Sequence, residues 1–158
     1  MAIDAILPID AQGNPVPGIL PFRETKRITF AGGTANAIGD HDGDLDPFDI
    51  FTVTGDVKVY VMGVCKTSLV GAATLEVGLV GNTAVLLAQI SDVTALDANM
   101  AYLDATPALG EGEAPLVHTI GGGLDIIGTV GSANITAGVI DFYCFWYPLS
   151  ADGKVSPA

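Results

Sequence analysis

The stretch DIFTVTGDVKVYVMGVCKTS, residues 49–68, decides the fold. Gly55-Asp56 divides it into two apolar runs, because glycine and aspartate are turn residues while the flanking valine, threonine and aromatic positions favour strands. In the second run Val57, Val59, Val61, Gly63 and Cys65 share one face, and Lys58, Tyr60, Met62, Val64 and Lys66 share the other. Both faces are largely apolar in the middle. A strand of this kind is covered on both sides, or by the core on one side and a partner on the other.

Similar runs extend in both directions. TKRITFA (25–31) is a short strand candidate, and in ATLEVGLVGNTAVLLAQI (73–90) the dipeptide Gly81-Asn82 predicts a hairpin, since primed two-residue turns need positive φ. LVHTI (116–120), LDIIGTVG (124–131) and GVIDFYCFWYPLS (138–150) follow, separated by glycines. In the last, Ile140, Phe142, Cys144 and Trp146 face one way, while Val139, Asp141, Tyr143, Phe145 and Tyr147 face the other; Pro148 ends the pairing. Between them, Ser91 or Asp92 can cap a helical turn, MAYLDA can form a strand, and PALGEGEAP reads as loop. The sum is an all-β chain: an antiparallel β-sandwich or jelly-roll-like barrel of about eight strands with an extended N-terminal arm. No crossover helix is long enough for βαβ units.

The arm is residues 1–24, ahead of a sandwich domain at 25–149 and a polar tail at 150–158. Pro8, Pro15, Pro17 and Pro21 exclude helix there. The same stretch carries Ile3, Ile6, Leu7, Ile9, Val16, Ile19, Leu20 and Phe22, so it is expected to lie on its own core or on a neighbouring subunit. It has no basic leader region, so a secretory signal is not expected. The apolar window 69–90 is interrupted by Glu76 and by Gly81-Asn82, which argues against a membrane span.

The chain holds 158 residues, enough for one domain with a single core. Its formal charge is −12, from 18 acids against six bases. Phosphate neutralisation needs clustered Lys and Arg, so nucleic acid is disfavoured as a partner, and an acidic surface suits an outward, solvent-facing position. Cys65 and Cys144 lie far apart inside apolar runs and read as buried reduced thiols, with no zinc or disulfide pattern.

DHDGDLDPFD (40–49) brings five aspartates together. An EF-hand needs glycine at loop position 6 and glutamate at position 12. Started at Asp40 those positions are Leu45 and Phe51; started at Asp42 they are Pro47 and Val53. An exposed turn is the simpler reading, with a looser calcium site on Asp40, Asp42, Asp44 and Asp46 left open. His41 and His118 lack a defined partner, no serine sits in GxSxG or SxxK, and the GGG at 121–123 lacks the lysine and helix of a phosphate loop. Glu76, Glu111 and Glu113 are the only carboxylates weighed as a glycosidase pair, with Glu76 read as an outward strand residue. The aromatics from Phe142 to Tyr147 can be a sugar-stacking platform or core and interface. No enzyme, cofactor or metal is expected.

Residues 51–83, FTVTGDVKVYVMGVCKTSLVGAATLEVGLVGNT, and 138–155, GVIDFYCFWYPLSADGKV, resemble small virion proteins of tailed bacteriophages, and the chain resembles a head-decoration or cement protein. The resemblance implies a structural virion protein that assembles in the host cytoplasm and binds the major capsid protein on the outer capsid surface as a homo-oligomer, a trimer. Ile19, Leu20, Phe22, Arg23, Lys26 and Arg27 are then the expected capsid- or partner-binding residues, the basic RETKR (23–27) meeting acidic capsid surface. The alternative is a carbohydrate- or receptor-binding β-sandwich of a phage head or tail fibre.

Overall fold

A computed structural model describes residues 21–34, 37, 39–109 and 117–158. Among these, eleven strands form: β1 (Phe22–Thr29), β2 (Asp44–Thr54), β3 (Val57–Val70), β4 (Thr74–Leu79), β5 (Asn82–Ile90), β6 (Met100–Tyr102), β7 (Ala108–Leu109), β8 (His118–Ile120), β9 (Ile126–Gly131), β10 (Ala137–Pro148) and β11 (Lys154–Pro157). They make two antiparallel sheets. The first runs β1-β10-β3-β6-β7 with β8 also on β3; the second runs β11-β2-β9-β4-β5. Seven of the ten connections pass from one sheet to the other, so the two layers are a single sandwich.

The long strands β3 and β10 organise the first sheet, paired along nearly their whole length from Val57↔Pro148 to Val70↔Ala137. The alternation read from sequence places Val57, Val59, Val61 and Cys65 of β3, with Ile140, Phe142, Cys144 and Trp146 of β10, in the core. They meet Ile50, Phe51, Leu75, Val77, Ile126 and Val130 of the second sheet in one cluster. Gly63 belongs to the same inner face and has no side chain there for a reason. A Cβ on it would lie 3.2–3.3 Å from Ile140, Phe142 and Tyr102, so the gap lets the Tyr102 and Phe142 rings close over β3.

Both thiols point into this layer. Burial pushes the Cys144 thiol up to about 12 and also raises Cys65, whose Sγ lies near the carbonyls of Thr67 and Leu96. Both cysteines are free. Neither should react with a thiol reagent at neutral pH in native buffer, and two thiols should appear after denaturation. Fast labelling of the native protein would contradict the packing.

Several local expectations change. Phe22 and Arg23 belong to β1, so pairing begins inside the segment assigned to the arm. Residues 154–157 are not tail: Lys154–Pro157 pairs with β2, and Val155 is fully buried. One apolar side chain is a weak pattern signal, and an edge strand tolerates Pro157. The hairpin of β4 and β5 exists, but its loop is Val80-Gly81, closed by Leu79↔Asn82, with Gly81 taking the positive φ of 88°. The second half of the aspartate stretch is strand, because Asp44 and Pro47 pair with β9 across a register shift that accommodates the proline. Ala108–Leu109 pairs with β6, while residues 110–116, with Glu111 and Glu113, lie outside the described residues. The expected turn after β5 is present: Asp92 caps the 3-10 turn Val93–Ala95 by accepting from the Thr94 N–H.

Candidate functional site

The two sheets differ on their outer faces. On the second sheet, the register between β4 and β5 jumps from Val77↔Leu87 to Leu79↔Asn82. The backbone of Asn82 and Thr83 therefore lies over Gly78, where a Cβ would come within 2.2 Å. Glu76, Thr129 and Ile127 are buried on that side. The alternation that turned Glu76 outward is correct, but it is covered, and its carboxylate accepts from Gln89 Nε2 at 2.8 Å. That leaves it no role as an exposed acid.

On the first sheet, pairing registers set up open rows of side chains. Arg23, Phe145 and Tyr60 stand side by side, then Thr25, Tyr143 and Met62, then Arg27, Asp141 and Val64. Phe145, Tyr60, Tyr143, Met62 and Tyr147 are half-buried, an unusual exposure for aromatics in the middle of a sheet. Tyr60 and Phe145 stack with centroids 4.6 Å apart and planes 7° from parallel. Beside them runs a groove of about 450 Å³ lined by Lys58, Tyr60, Val117, Phe145, Tyr147 and Leu149, among others. Val117 and Leu149 are 53% and 55% exposed. Partial burial holds the Tyr60 phenol above its ordinary value, with Tyr147 adding to the effect, so the Tyr60 ring stays neutral at physiological pH.

Charge is distributed unevenly. Arg23, Arg27, Lys58 and Lys66 all lie on this face, four of the six bases in the chain, against Asp141 as the one acid in its rows and 18 acids in the whole chain. Arg27 grips Asp141 through Nε at 2.7 Å and Nη2 at 2.9 Å. This fork holds the Asp141 carboxyl below the usual carboxylate range and outweighs its burial. A depressed folded value means that the contribution is present above the ordinary aspartate range and is lost as pH falls through the folded value. Asp141→Asn should therefore flatten the acid limb of the stability curve below about pH 4; an unchanged limb in chemical denaturation would contradict the pairing.

Of the six residues expected to bind a partner, alternation separates four. Arg23 and Arg27 are on the open face; Phe22 turns inward to stack on Trp146 at 4.6 Å, and Lys26 reaches the carbonyl of Ala158. Ile19 and Leu20 lie outside the described residues. Lys58, Tyr60 and Lys66 are not among those six, although the second apolar face of β3 contains them, and Val117, just ahead of β8, carries no such sequence signal. The aromatic run of β10 divides: Phe142 and Trp146 are core, and Tyr143, Phe145 and Tyr147 face outward.

The aspartate stretch serves the fold. Asp40 accepts from the N–H groups of Thr34 and Asp42, and Asp42 from that of Asp44. Among the described residues no three His, Cys, Asp or Glu side chains converge as a metal site. His41 packs between Phe30 and Phe48, with its pKa lowered by burial against the opposing pull of Asp40.

No family model matches the chain, and no curated protein or solved structure gives a significant match. Among the described residues no helix is long and apolar enough to cross a membrane.

Proposed function

We propose that the protein is a non-enzymatic structural protein that docks through the outer face of the six-stranded sheet, as a decoration protein on the outer surface of a tailed-phage capsid. The observation that carries this is the coincidence of half-exposed aromatics with four of the six bases on one sheet face of a chain charged −12. Aromatic and arginine side chains are the anchors that interfaces use most, and a basic rim selects an acidic partner while the acidic remainder disfavours other orientations. The likeness of residues 51–83 and 138–155 to phage virion proteins supplies the capsid as that partner. Homo-oligomerisation, with a trimer as the expected state, belongs to the same proposal.

The test is abundance and effect. The protein should be recovered from purified particles in near-stoichiometric ratio to the capsid subunit, and heads carrying it should release DNA at a higher temperature than heads without it. A few copies per particle would overturn the decoration role.

A second reading, a carbohydrate-binding module, is favoured by the groove along Tyr60, Phe145 and Tyr147. It is the weaker one, because the Tyr60–Phe145 stack already occupies one face of each ring that a sugar would use.

A further inference from the structure

The six-stranded sheet ends on β1, whose register on β10 runs from Phe22↔Trp146 to Thr29↔Val139 without a shift. The next residue fixes the direction of its hydrogen bonds, because the Phe30 N–H donates to the Gly138 carbonyl at 2.9 Å in the same register. In an antiparallel ladder alternate residues face the neighbour, so Glu24, Lys26 and Ile28 direct their backbone groups at β10. Arg23, Thr25, Arg27 and Thr29 aim theirs away from it, and among the described residues no strand pairs with that side. All four are exposed. A straight row of open N–H and C=O groups is a template for one more strand, about 4.8 Å away.

Charge selects which strand. β1 carries Arg23, Lys26 and Arg27, three of the six bases of the chain, against Glu24 alone. Lys26 reaches the carbonyl of Ala158 and Arg27 forks Asp141, while among the described residues Arg23 has no ion-pair partner. Two β1 edges from two copies would bring these bases against one another, and like charges destabilise a strand pair, so the edge rejects a sister β1. A strand bearing carboxylates meets the opposite sign. Its side chains level with Arg23 and Thr25 would stand on the outer face and continue the rows of Phe145 and Tyr143. In strand addition the main-chain bonds give affinity and alternate side chains give specificity.

We infer that the free edge of β1 is a strand-addition site for an extended acidic segment of another protein, which pairs with Arg23, Thr25, Arg27 and Thr29 and widens the sheet by one strand. The inference rests on the reading of this sheet as the docking surface and adds the way in which the partner engages it.

The test uses the free full-length protein and a capped synthetic peptide, as long as β1, that alternates aspartate with threonine. By hydrogen exchange, the amides of Arg23, Thr25, Arg27 and Thr29 should be fast in the protein alone and those of Glu24, Lys26 and Ile28 slow. With the peptide at about ten times its dissociation constant the four fast amides should slow about tenfold, since only the free fraction exchanges. The same peptide with lysine for aspartate should leave them fast. Thr25→Pro removes an outward donor and no bond to β10, so it should keep Glu24 and Lys26 protected and lose the response to the peptide. Slow exchange of the four amides in the protein alone would overturn the inference, because the edge would already be covered. So would fast exchange at millimolar acidic peptide, or an equal response to the lysine peptide. None of this requires heads, so a failure to bind them would leave the edge site standing. Conversely, heads that shield Tyr60 and Tyr143 while the four amides stay fast would keep the docking face and overturn the strand addition.

Discussion

Replacing Tyr102 by alanine is expected to remove about 3–5 kcal/mol of stability, the cost of truncating a large aromatic in a close-packed core. Domains of this size are stable by only about 5–15 kcal/mol, so the variant should be marginal at 37 °C. Tyr102 is fully buried on β6, beside Gly63 of β3, and its hydroxyl crosses the sandwich to within 3.0 Å of the Leu75 carbonyl and 2.9 Å of the Ala88 carbonyl. Those carbonyls belong to β4 and β5 where their ladder shifts register between Leu75 and Val77. The phenol therefore supplies a donor at the register shift, and ties the six-stranded sheet to the five-stranded one. Burial, with Glu76 nearby, holds its pKa well above the ordinary value, so it remains a donor across the accessible pH range. Tyr102→Phe isolates the hydroxyl and should cost about 1–3 kcal/mol, since the single O–H donor shared by the two carbonyls is lost while the ring still fills its space. Urea denaturation with unchanged slope would measure both; equal stability of Tyr102→Phe and wild type would show that the strut carries no load.

The second large effect concerns binding rather than stability. Tyr60→Ala with Phe145→Ala should weaken association with heads by about 2 kcal/mol or more, about thirtyfold, as expected for removal of a central aromatic anchor. The fold should survive, because both rings lie on the outer side of the sheet and the core beneath is made by Val59, Val61, Cys144 and Trp146. Lys58→Glu acts differently. As a rim charge it should slow association and reduce the salt dependence of binding, with less effect on dissociation. If the aromatic pair can be removed without loss while the charge reversal abolishes binding, the face works by electrostatics alone.

Much of this was legible in the sequence, and the reason is periodicity. The period of two in residues 57–66 and 139–147 fixed which side chains enter the core, and the outward set of β3 and β10 became the open face. What the pattern could not show was pairing. Arg23, Lys58 and Phe145 lie far apart in the chain, and only the register of β1, β10 and β3 assembles them into one surface. Glu76 shows the same limit in reverse: its direction followed from alternation, but its cover depends on the displaced register of β5. Short edge strands such as β11 were lost because a single buried valine is no pattern. The aspartates misled for a different reason. Their backbone hydrogen bonds make them turn-formers, yet from Asp44 onward the same residues continue into a bulged strand.

The most direct test of the proposed docking face is side-chain oxidation by hydroxyl radicals, compared between free protein and protein mixed with heads. The account predicts that modification of Tyr60, Met62, Tyr143 and Tyr147 falls on binding, while Leu45 and Val80, exposed on and beside the other sheet, are unchanged. Protection of Leu45 and Val80 with the β3–β10 aromatics still reactive would place the contact on the opposite side and contradict it.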